Sequence, residues 1–127
     1  MAGTLVITTL SDGTNSTSAT NPIRGSAKAW VNFDGTNGSV RSSYNVSSVT
    51  RVGTGDYNVN FTSAFANTNY CACYGMEVST ITGGLNNQIV GYPAGRTTTA
   101  FRLATGYNQA GSQAQVDEGA IYASFFS

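Results

Sequence analysis

The chain reads as an all-β protein, a sandwich or barrel, on three observations. No stretch repeats its apolar residues with the period of a helix. Short segments rich in Val, Ile, Thr, Tyr and Phe are separated by clusters of Gly, Asn, Asp and Ser. Inside several of these segments apolar and polar residues alternate. In GTGDYNVNF, Tyr57, Val59 and Phe61 are interleaved with Asn58 and Asn60, the pattern of a strand with one buried face. The polar face is the unusual one, because asparagine is a poor strand former.

In chain order, strands are expected at Thr4–Leu10, Ser26–Phe33, Ser39–Tyr44, Val46–Val52, Asp56–Thr62, Asn69–Val78, Thr97–Thr105 and Val116–Phe126. Residues 1–25 divide into an N-terminal strand and a polar linker, Ser11–Gly25; residues 26–127 form the sandwich domain. The first strand is apolar on both faces, with Leu5 and Ile7 on one and Val6 and Leu10 on the other. Such a strand needs cover on both sides, either its own core plus solvent or a second subunit.

In AKAWVNF, Val31 and Phe33 face the core. Trp30 shares the other face with Lys28 and Asn32, where it is either capped by a loop or buried at an interface. Asp34-Gly35 and Asn37-Gly38 mark a reversal that sets Phe33 and Val40 on adjacent antiparallel strands. Gly53-Thr54-Gly55 closes the next hairpin. Gly83–Gly95 and Gly106–Ser112 read as loops. The closing AIYASFF is again two-sided, through Ile121, Tyr122, Phe125 and Phe126. Leu5, Ile7, Trp30, Tyr122 and Phe126 are therefore the candidate subunit-interface residues.

Composition narrows the function. Charged residues make up 9% of the 127 residues, against a usual ~25%, and the formal net charge is zero. Scattered Arg24, Lys28, Arg41, Arg51, Arg96 and Arg102 give no footprint for a phosphate backbone, so nucleic acid is not the expected partner. Low charge favours self-association that is indifferent to salt. No apolar run is long enough for a membrane helix, and MAGTLVITTLSDG lacks the basic region of a signal peptide. Synthesis in a cytosol without that export route is expected, and the sequons at Asn15, Asn37, Asn45 and Asn60 read as coincidence.

Histidine is absent, which removes Ser-His-Asp and Cys-His arrangements. Asp117 and Glu118 would point to opposite faces of a strand, and Asp12, Asp34 and Asp56 sit beside glycine in turns. Cys71 and Cys73 share one strand face and read as small buried side chains rather than a redox or metal pair. A non-enzymatic protein with no cofactor and no metal is expected.

The runs GSAKAWVNFDGT (25–36), YNVSSVTRVGTGDYNVNFTSAF (44–65) and NTNYCACYG (67–75) resemble a small domain common in tailed bacteriophages, usually described as a tail-fibre or virion structural protein. TLVITTLSDGT, TTTAFRLATG and AIYASFF are similar to its opening and closing segments, so the likeness covers nearly the whole chain. Arg51-Val52 departs from it, as does the loop Gly83–Gly95. The resemblance implies an antiparallel β-sandwich of jelly-roll type, a trimeric module that works in the virion as a tail fibre or fibre tip and attaches to the host surface. The alternative is a capsid decoration or head-fibre protein. Other tail or capsid proteins are then its partners. Tyr92, Tyr107, Asn108 and Gln109 are the candidate receptor-contact residues, toward a host glycan.

Overall fold

The computed structural model describes residues 3–78, 87–109 and 112–127. Two antiparallel sheets enclose one aromatic core, so the expected all-β, sandwich-like architecture holds. The first sheet runs in the order β4 (Val40–Tyr44), β3 (Ala29–Phe33), β11 (Ala120–Phe126), β7 (Cys71–Glu77). The second follows the path β10 (Ser112–Gln115), β9 (Ala100–Gln109), β6 (Asp56–Phe61), β5 (Val46–Gly53), with β8 (Asn87–Arg96) on the far side of β9. A separate two-stranded ribbon of β1 (Thr9–Ser11) and β2 (Ser16–Ser18) precedes a single helical turn, α1 (Thr20–Gly25).

Alternation decides which side chains enter the core. Ala29, Val31 and Phe33 of β3, Ile121, Ala123 and Phe125 of β11, Tyr57, Val59 and Phe61 of β6, and Phe101 and Leu103 of β9 are all buried. Phe125 sits at the centre, its ring centroid 4.9 Å from Phe61, 5.3 Å from Phe101 and 5.9 Å from Tyr70. The Phe61, Phe101 and Tyr70 contacts are edge-to-face, the arrangement ring quadrupoles favour.

The turns follow their residues. Asp34 Oδ1 accepts the Thr36 N–H at 2.9 Å, Gly38 donates to Asp34 O at 2.7 Å, and Phe33 then pairs with Val40. At the next hairpin Gly53 pairs with Asp56, and Gly55 takes φ +62. A Cβ there would lie 2.4 Å from Thr105 O, so glycine is required twice over.

Between β4 and β5 the chain crosses from one sheet to the other at Asn45, whose φ is 53. Its side chain secures the corner: Nδ2 donates to Lys28 O at 3.1 Å, and Oδ1 accepts the Ser63 N–H at 2.8 Å. Asparagine tolerates this left-handed backbone better than most residues.

Several sequence expectations are corrected. The strand placed over Thr4–Leu10 is only β1, and residues 3–7 form no strand; Leu5 is 81% and Val6 87% exposed. A chain segment with no pairing partner cannot satisfy its backbone in a sheet, whatever its β propensity. The linker Ser11–Gly25 contains β2 and α1, built on Asp12 Oδ1 accepting the N–H groups of Thr14 and Asn15. From Asn87 onward the expected loop Gly83–Gly95 is strand β8; residues 83–86 lie outside the described residues. Gly106–Ser112 is the end of β9 and the start of β10, with residues 110 and 111 outside the described residues. Cys71 and Cys73 are exposed and free, not buried. Ala72 and Tyr74 take the inward positions of β7, which turns both thiols outward.

Candidate functional site

Two surfaces and one polar cluster stand out. The first surface is the outer face of the four-stranded sheet. Register puts Cys73, Ser124, Trp30 and Tyr44 in one row, and Gly75, Tyr122, Asn32 and Ser42 in the next. Trp30 remains 38% exposed and Tyr122 44%. Tyr122 lies over Gly75, where an added Cβ would meet its ring at 2.4 Å. Trp30, Asn32, Cys73, Tyr122 and Ser124 line a shallow depression of about 420 Å³. Asn32 Oδ1 is buried there and accepts no hydrogen bond among the described residues. A buried acceptor left without a donor costs free energy.

Of the candidate interface residues, Trp30, Tyr122 and Phe126 share this face by the pleat of β3 and β11. Leu5 and Ile7 lie in the exposed N-terminal arm, where they border a second apolar depression with Leu10, Pro22 and Ile23.

The second surface is the outer face of β8, β9 and β10. Pairing aligns Val90 with Ala104, Gln88 and Gln115 with Gly106, and Gln113 with Asn108. These residues alternate with Ile89, which packs on the core, so they face outward. They line a groove of about 250 Å³ with Tyr92. The Tyr92 ring is held by the Arg102 guanidinium 5.1 Å from its centroid and by Gln115 Nε2, which donates to its hydroxyl at 3.3 Å.

Three of the four candidate contact residues, Tyr92, Tyr107 and Asn108, border this groove. The pleat turns the Tyr107 side chain to the opposite side of β9 from Asn108. The side chain of Gln109 lies outside the described residues. Sequence reasoning missed Gln88, which lay in the expected loop Gly83–Gly95, and Gln113 and Gln115, which fell between the expected loop Gly106–Ser112 and the strand expected from Val116, so none had a face on which to be placed.

The polar cluster is structural. Asp117 accepts from Arg51 Nε at 3.0 Å, from the Gly55 N–H at 2.8 Å and from the Tyr57 hydroxyl at 2.9 Å. The Arg51 hydrogen bond does most to hold the Asp117 carboxyl below the usual carboxylate range. Burial, helped by the bond to Asp117, pushes the Tyr57 phenol well above its ordinary value. Asp117 and Glu118 precede β11 rather than lying in it; Glu118 is buried and accepts from Asn87 Nδ2 at 2.8 Å. Asp56, read from sequence as a turn residue, instead pairs bidentately with Arg102 across β6 and β9. That bond keeps its carboxyl below the ordinary value. Among the described residues no cluster of three or more Cys, Asp or Glu is spaced to hold a metal ion.

No family model, curated protein or solved structure matches the chain.

Proposed function

We propose that the chain is a non-enzymatic structural module of a tailed-bacteriophage virion, a tail-fibre or fibre-tip piece that assembles with copies of itself and attaches to the host surface. The resemblance of the segments 25–36, 44–65 and 67–75 supports the viral assignment. The observation that carries self-association is the outer face of the β4-β3-β11-β7 sheet. Exposed Trp30 and Tyr122 surround an Asn32 acceptor that has no donor among the described residues. Aromatic residues of this kind concentrate at the centres of protein interfaces. A sister copy, or the apolar arm of one, supplies both the cover and the donor.

Analytical ultracentrifugation of the purified protein is expected to give a trimer, and Trp30→Ser with Tyr122→Ser to give smaller species of unchanged secondary structure. A wild-type monomer at high protein concentration overturns the assembly reading. Cryo-electron microscopy of the particle, with this chain traced, tests its location: density on the tail supports the fibre assignment, and density on the head replaces it with capsid decoration.

A further inference from the structure

We infer that the outward groove of β8, β9 and β10 is a binding site for an uncharged saccharide, with Gln88, Asn108, Gln113 and Gln115 as its hydrogen-bonding wall and Tyr92 as its stacking ring. The inference rests on the attachment reading above and names the ligand class of that surface.

The argument begins with charge. Among the described residues no charged side chain lines the groove. The nearest cation, Arg102, stacks on Tyr92 but is already engaged by both carboxylate oxygens of Asp56. It therefore orients the ring without offering a free positive charge to an acidic sugar. Carboxamides come next. Each offers two N–H donors and a carbonyl acceptor, which matches a sugar hydroxyl that donates and accepts at once. Four such groups on one face, with Val90, Ala104 and Gly106 between them, set polar edges around a small apolar floor. A pyranose has the same division: hydroxyls at its rim and C–H bonds on its face.

Size agrees. At about 250 Å³ the groove is just below the range of drug-sized ligand pockets, ~300–1,000 Å³, so it takes a terminal unit of a chain that continues into solvent. Affinity at one groove is then modest, and several copies on one assembly raise it through avidity.

The test uses the full-length assembled protein on a panel of immobilised bacterial surface polysaccharides, neutral and acidic, and on whole cells of the host. Binding is expected among the neutral polysaccharides and to stay level as salt rises from ~0.05 to ~0.5 M, because no ion pair is screened. Asn108→Ala and Gln113→Ala should each weaken it by about 10-fold, the effect of one lost hydrogen-bonding group. Trp30→Ser, on the opposite sheet, controls for altered assembly: grooves on a smaller oligomer lose avidity but still prefer neutral polysaccharides. The inference is overturned by binding confined to acidic polysaccharides, by salt-sensitive binding, by groove variants that bind as wild type, or by no binding to the panel. Adsorption to host cells that ignores the groove variants removes the saccharide site and leaves attachment standing. Failure to adsorb to host cells at all removes attachment as well.

Discussion

Asp117 gathers Arg51, the Gly55 amide and the Tyr57 hydroxyl from the hairpin that joins β5 and β6. Asp117→Ala would leave the Gly55 amide and the buried Tyr57 hydroxyl without their acceptor, and a loss of about 1–3 kcal/mol is expected from urea denaturation. Because its folded pKa is depressed, Asp117 contributes stability that is fully present above the unfolded value of ~3.9 and lost as pH falls through the folded value. Asp56 acts in the same direction through Arg102. Thermal midpoints should therefore drop below about pH 4, and the drop should shrink in Asp117→Asn. At Gly55 the positive φ and the crowding by Thr105 O act together, so Gly55→Ala should cost at least ~1–3 kcal/mol in the same denaturation assay. Asparagine on the polar face of β6 has a local reason too: Asn60 Nδ2 donates to Ser48 Oγ at 3.0 Å and Thr50 Oγ1 at 3.1 Å. An amide spanning two hydroxyls of the next strand replaces the charged pairs usual on sheet surfaces.

Among elements, β3 and β6 were the most legible in the sequence, because alternation picks out one core face in each, whereas β11 could be placed but its apolar residues on both faces left its orientation open. The pairing of Phe33 with Val40 was readable as well, since Asp34-Gly35 and Asn37-Gly38 leave little choice of turn. Strand β8 was not. Pro93 and Gly95 within YPAG look like loop, yet the structure places them where pairing skips from Gly91 to Arg96 along the outer side of β9. A proline is tolerated there because its missing N–H leaves no ladder bond unmade. Gly91 has a further role, for a Cβ would strike the Phe101 ring at 2.6 Å. The amide groove was only half legible for the same reason: Tyr92 and Asn108 could be noticed singly, but their common face exists only once β8 and β10 are strands. Phe125 of β11 touches the rings of Phe61, Phe65, Tyr70 and Phe101, so Phe125→Ala should cost about 3–5 kcal/mol with an unchanged denaturant slope.

For the whole molecule, the lack of histidine means that no side chain with an ordinary pKa changes charge between pH 5 and 8. Thermal stability should be flat across that range, and a slope there would reveal a carboxylate with a strongly raised pKa. Charges are few and the three ion pairs among the described residues join neighbouring strands or turns. Raising salt should therefore move the thermal midpoint little.

The topology also bears on how the molecule comes into being. In the first sheet β11 is hydrogen-bonded between β3 and β7, although nearly the whole sequence separates β3 from it. Until β11 has left the ribosome, β3 and β7 each carry a bare flank, and Phe61, Phe101 and Tyr70 lack the ring on which they converge. A nascent chain in that condition is open to capture by chaperones or by its neighbours on the same message. Termination anywhere before Ala120 should yield no folded product rather than a smaller one.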